Sequence, residues 1–68
     1  MELTVNGSKR AFPGLETLDQ LIERLDLAGA PAGIAVALND TVIPRDQWAA
    51  SRLRDGDSVE VIHAVQGG

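Results

Sequence analysis

The last two residues, Gly67 and Gly68, carry the most unusual chemistry available to this chain. Two side-chain-free residues give a segment of wide backbone freedom. Extended, residues 65–68 reach roughly 13 Å beyond a folded body. Such a thread can enter a narrow channel in another protein and present only its terminal carboxylate. A carboxylate is a poor electrophile and must first be activated, for example as an acyl-adenylate made from ATP. Attack by sulfide or a persulfide would then give a thiocarboxylate, a soft nucleophile able to hand sulfur on. Glycine is also common at chain ends, so the dipeptide alone leaves a frayed terminus open.

The other chemically capable residues are sparse and scattered. His63 near the tail has no serine or carboxylate at a spacing that would build a proton relay, and it reads as an ordinary strand residue. Asp55-Gly56-Asp57 lacks the remaining ligands and the terminal Glu of a calcium loop, so it reads as a turn. Trp48 is expected to plug the open end of a small core, the alternative being a partner contact. Arg45 is expected to pair with a nearby Asp or with backbone carbonyls, or else to contact a partner or a phosphate. There is no Gly-rich phosphate loop, so ATP is not expected to bind this chain.

Composition narrows the field further. Sixty-eight residues make one small domain, and a chain of this size buries only about 60% of its unfolded surface. It has little room for an enclosed active site, which favours binding or carrying over a full catalytic cycle, so the chain is not expected to be an enzyme. With no cysteine and one histidine, it has neither disulfides nor the usual Cys/His zinc sites. A net charge of −4, with six basic residues scattered from Lys9 to Arg54, speaks against nucleic acid, whose phosphates call for clustered Lys and Arg. The opening Met1-Glu2-Leu3-Thr4 has no basic region or long apolar run, so neither a signal peptide nor a membrane span is expected and the cytoplasm is the expected location.

The elements that would position the tail follow from hydrophobic periodicity. Met1, Leu3 and Val5 alternate with polar residues as in a half-buried strand. Asn6-Gly7 then predicts a tight hairpin into a return strand from Ser8 to Phe12, with Phe12 in the core and Pro13-Gly14 breaking the run. Leu18, Leu21, Ile22 and Leu25 share one helix face. Thr17 is the expected N-cap, Gln20 completes a capping box, and Gly29 with Pro31 marks the exit. Ile34 to Leu38 reads as a buried strand with Thr41-Val42-Ile43 as its short partner. The stretch from Arg45 to Arg54 reads as irregular or one helical turn, anchored by Trp48 and Leu53. Val59 to Val65 reads as a final strand in the middle of the sheet.

This order predicts an α+β fold, a mixed four- to five-stranded sheet with one main helix packed on one face. Parallel pairing of the first and last strands would put the most apolar segments at its centre, which is the β-grasp arrangement. The expected organisation is a body over residues 1–65 and a flexible tail over 66–68.

The chain resembles the ThiS family of ubiquitin-like β-grasp sulfur carriers of thiamin-thiazole biosynthesis. The residues that carry this are the opening strand with Asn6-Gly7, Ala35-Val36-Ala37-Leu38-Asn39, Val42-Ile43-Pro44-Arg45 with Trp48, Leu53, the run from Asp55 to Ile62, and Ala64-Val65-Gln66-Gly67-Gly68. Their order and spacing cover essentially the whole chain. The resemblance implies that the Gly68 carboxylate is adenylated by an ATP-dependent enzyme related to ubiquitin-activating enzymes. It implies thiocarboxylate formation with sulfur from a cysteine desulfurase relay, then donation to a thiazole synthase. Gly67 and Gly68 would thread into the partner's site, the chain itself binding no cofactor and staying monomeric when free. The small subunit of molybdopterin synthase also ends in Gly-Gly, but that family is usually longer, with a proline-rich approach to the tail. Here the approach is Ile62-His63-Ala64-Val65-Gln66. The other alternative is a ubiquitin-like protein modifier joined to target lysines.

Overall fold

The computed structural model describes residues 1–25 and 33–63. Its elements are β1 (Glu2–Val5), β2 (Ser8–Ala11), α1 (Leu18–Arg24), β3 (Ile34–Leu38), β4 (Thr41–Ile43), a 3₁₀ helix (Arg45–Ala50) and β5 (Ser58–His63). The five strands form one mixed sheet in the order β2-β1-β5-β3-β4. β5 runs parallel to β1, with Val5 beside Val59, and antiparallel to β3, with Val36 beside Val61. The last strand of the chain is therefore the middle strand of the sheet, as expected.

Both hairpins close through two-residue loops, between Val5 and Ser8 and between Leu38 and Thr41. The positive φ of Asn6 (49°) and Gly7 (83°) supplies the twist that a tight antiparallel turn needs. Asn39 (48°) and Asp40 (69°) do the same without glycine, because their short polar side chains tolerate the left-handed region.

One sheet face carries the core. Leu3, Val5, Val36, Val59 and Val61 are buried against Leu18, Leu21 and Ile22 of α1, with Phe12, Leu15, Trp48 and Leu53 closing the ends. Removal of this apolar area from water is the main term holding so small a domain together.

Three expectations need correction. The return strand stops at Ala11, and Phe12 lies just past it with its side chain in the core as expected. β3 is one-sided: Val36 is buried whereas Ala35 is exposed. A continuous apolar run suggests two covered faces, but among the described residues the helix covers only one. The capping box is displaced by one residue. Gln20 Oε1 accepts the Glu16 amide at 2.9 Å, and the Thr17 hydroxyl donates to Asp19 Oδ1. The first helical amide, from Leu18, is taken instead by the Ser51 carbonyl at 2.9 Å. Gly29 and Pro31, expected at the helix exit, lie outside the described residues, as does Val65.

Candidate functional site

The residues with the clearest chemistry, Gly67 and Gly68, lie outside the described residues. What the structure shows is the platform they follow. β5 ends at His63, which is in register with Ile34, and its course is fixed at three points.

The first is the turn before it. Gly56, at φ 90°, lets its amide meet the Glu2 carbonyl at 2.7 Å, and Asp55 Oδ1 accepts the Glu2 amide at 2.6 Å. Asp57 Oδ2 accepts the Arg54 amide at 2.8 Å, and the Asp57 carbonyl accepts the Thr4 amide at 3.0 Å. The Asp-Gly-Asp stretch is thus a turn, as its sequence suggested, with the Asp55 carboxylate spent on the start of β1 and that of Asp57 on the Arg54 amide and the Asn39 side chain.

The second point is Asn39. Its side-chain oxygen accepts the Ser58 amide at 2.9 Å and its side-chain nitrogen donates to Asp57 Oδ1 at 3.0 Å. Its own amide donates to the Ser58 carbonyl at 2.7 Å.

The third is Asn6. β1 ends at Val5, yet the Asn6 amide donates to the Val59 carbonyl at 2.9 Å and Asn6 Oδ1 accepts the Val61 amide at 2.8 Å. A side chain thereby continues the parallel ladder one step beyond the strand that began it. Sequence reasoning saw Asn6 and Asn39 only as turn formers. Nothing in the local pattern marks a carboxamide that reaches a strand 55 residues away.

Alternation along β5 places Glu60 and Ile62 on the open face, away from the helix. Ile62 is 55% exposed and pairs with exposed Ala35, while Val42 of β4, 68% exposed, pairs with half-buried Ala37. These are the large hydrophobic residues left exposed among those described. Single exposed apolar residues are ordinary, but a contiguous group marks a surface that other molecules bear on.

The remaining candidates are structural. Trp48 is 6% exposed and its indole Nε1 donates to the Ile43 carbonyl at 2.9 Å, which makes it a core plug. The Arg45 guanidinium sits 5.5 Å from the Trp48 ring centroid, a cation–π contact, and among the described residues the expected pairing with a carboxylate or carbonyl is not formed. Among the described residues no three His, Cys, Asp or Glu side chains gather where they could hold a metal, and no helix is long and apolar enough to cross a membrane.

Comparison with known proteins bears on what such a platform serves. The chain is 32% identical over 68 residues to the sulfur carrier protein ThiS of Escherichia coli, covering all of both chains. It is 29% identical to a thiazole synthase of Paramagnetospirillum magneticum, where the whole chain matches only 20% of that longer protein. The crystal structure of the thiamine biosynthesis protein ThiS from Geobacter metallireducens superposes with a TM-score of 0.82 at 34% identity, over all of both chains. The ThiS family model matches residues 3–68, so a β-grasp body closed around its last strand and followed by Gly67-Gly68 is the form this family takes here: the chain belongs to the ThiS family.

Proposed function

We propose that this chain is the sulfur carrier of thiazole formation in thiamin biosynthesis, and that it carries sulfur as a thiocarboxylate on Gly68. The observation that supports this most is end-to-end similarity to a ThiS sulfur carrier, with Gly67-Gly68 included in the matched span. Five residues, 64–68, separate the end of β5 from that carboxylate, at most roughly 17 Å of chain. The body over residues 1–65 acts as the handle and residues 66–68 as the thread.

The chemistry divides between the carrier and its partners. A carboxylate oxygen of Gly68 attacks the α-phosphorus of ATP on an adenylating enzyme and pyrophosphate leaves. The outer sulfur of a persulfide, supplied through a cysteine desulfurase relay, attacks the acyl carbon and AMP leaves with one of the original oxygens. A second thiol then cleaves the acyl disulfide, which frees the thiocarboxylate and leaves a disulfide for a cellular thiol reductant to reopen. The resulting thiocarboxylate is the nucleophile that a thiazole synthase consumes. The adenylating enzyme holds ATP, and this chain contributes the acyl group. A thiazole synthase as partner is supported by relatives of that name in which a stretch similar to this whole chain makes up 20% of the protein. The exposed Ile62, Ala35 and Val42 lie on the strand that leads to the tail and on the next two strands, β3 and β4, where an enzyme that receives the tail bears on the body. We place the chain in the cytoplasm, where ATP and these partners are available.

The test is intact-mass spectrometry after incubation with ATP, the adenylating enzyme and a sulfide source, with fragmentation to locate the change. One terminal oxygen of Gly68 replaced by sulfur is the expected product, absent when Gly67 and Gly68 are deleted. An unchanged mass, with the enzyme active on another carrier, overturns the reading.

A further inference from the structure

We propose that Asn6 is a positioning residue for the tail: its carboxamide steadies β5 on the side that β1 has left, two residues before the strand ends at His63, and so steadies the base from which the Gly68 carboxylate is delivered. This rests on the carrier reading above.

β1 pairs with β5 only at Thr4–Ser58 and Val5–Val59. Beyond Val59, the β1 side of β5 has lost its neighbouring strand, because the backbone turns away at Asn6 into the hairpin. Glu60 to His63 are held by β3 on the other side, through the pairs Ala37–Glu60, Val36–Val61, Ala35–Ile62 and Ile34–His63. On the vacated side the Asn6 carboxamide takes the place of a strand, its Oδ1 on the Val61 amide at 2.8 Å in a half-buried position. Its backbone amide fixes the Val59 carbonyl at 2.9 Å. Two bonds from one residue therefore bracket Glu60 and hold the register of β5 just before the exit.

The turn itself does not require this carboxamide. A two-residue hairpin of this type is met equally well by Asn-Gly, Asp-Gly or Gly-Gly. Asp keeps a carboxylate oxygen on a side chain of the same length, and Gly keeps the turn while removing the acceptor. The two variants therefore separate the clamp from the hairpin.

The consequence for delivery is entropic. A carrier whose strand is fixed up to its exit presents a shorter free thread to its partner. Less chain then has to be ordered as the carboxylate reaches the reacting centre. A loosened strand lengthens the thread and weakens productive binding without altering the acyl chemistry.

The experiment uses the full chain as wild type, Asn6→Gly and Asn6→Asp, with Ile22→Val as a core control for lowered stability. Amide hydrogen exchange reads the clamp, and steady-state adenylation by the activating enzyme reads delivery. For Asn6→Gly we expect faster exchange at Val61 and Ile62 with Leu21 and Val36 unchanged. Its kcat/KM should fall by a factor of about 2 to 12, the worth of one net hydrogen bond, carried by KM. Asn6→Asp should restore both readouts, and Ile22→Val should speed exchange at Leu21, Val36 and Val61 alike while leaving kcat/KM unchanged. Unchanged exchange and kinetics in Asn6→Gly, failure of Asn6→Asp to restore them, or an equal loss of kcat/KM in Ile22→Val each overturns the proposal. Wild type that is never adenylated sinks the carrier reading and tail delivery with it, a result that exchange at Val61 distinguishes from an absent clamp.

Discussion

Among single residues, Trp48 shows what a sequence can and cannot disclose. Its role as a plug was legible, because a chain with one Trp and one Phe has few ways to fill the end of a core. The contact with Arg45 was not. Residues three apart eclipse each other on a 3₁₀ helix, but Arg45 to Arg54 carries too little periodicity to announce one, so the pair could not be placed on a common face. Trp48→Phe keeps an aromatic ring beneath Arg45 and loses the donor to the Ile43 carbonyl. Urea unfolding should give a loss of about 1 kcal/mol from the missing bond. Trp48→Ala also opens a cavity and should lose about 3–5 kcal/mol. A tryptophan whose main business was a partner surface would give near-zero values in both.

For the elements, strand positions were read well and their covering less well. Alternation in β1, the apolar run of β3 and the turn dipeptides place the strands within a residue or two. Burial depends on what lies across the sheet, which no window of sequence contains. The N-terminus of α1 makes the same point. Thr17 and Gln20 have the types and spacing of a capping box, yet the Leu18 amide goes to the Ser51 carbonyl, and the Leu53 amide returns to the Glu16 carbonyl at 2.9 Å. This bridge between Thr17 and Arg52 joins two segments 35 residues apart and anchors the start of the helix, where Thr17 makes no side-chain cap bond. Thr17→Ala should therefore cost less than about 0.5 kcal/mol, against about 1 for a threonine that caps its helix. A thermal melt showing the larger loss would mean that the hydroxyl matters to the helix after all.

At the scale of the whole molecule, the helix covers one face of the sheet, and among the described residues nothing covers the other. The open face carries Ile62, Ala35 and Val42, whereas the covered face carries the core. Ile62→Glu and Val42→Glu should leave urea stability within about 0.5 kcal/mol of wild type, since neither side chain is packed. If an enzyme bears on this face, the same changes should raise its apparent KM for the carrier severalfold, and titration by calorimetry against the adenylating enzyme and the thiazole synthase would show which contact is lost. Unaltered affinity for both would move the docking surface elsewhere. The sheet order also bears on how the protein is made. β1 and β2 can pair early and so can β3 and β4, but the strand that joins these two hairpins comes from residues 58–63 and emerges from the ribosome after both. Until then each hairpin has an unpartnered edge, and pairs of this size are marginal alone. A chain cut short before residue 58 therefore lacks both the keystone of its body and the residues it is built to present, so folding and the ability to act arrive together.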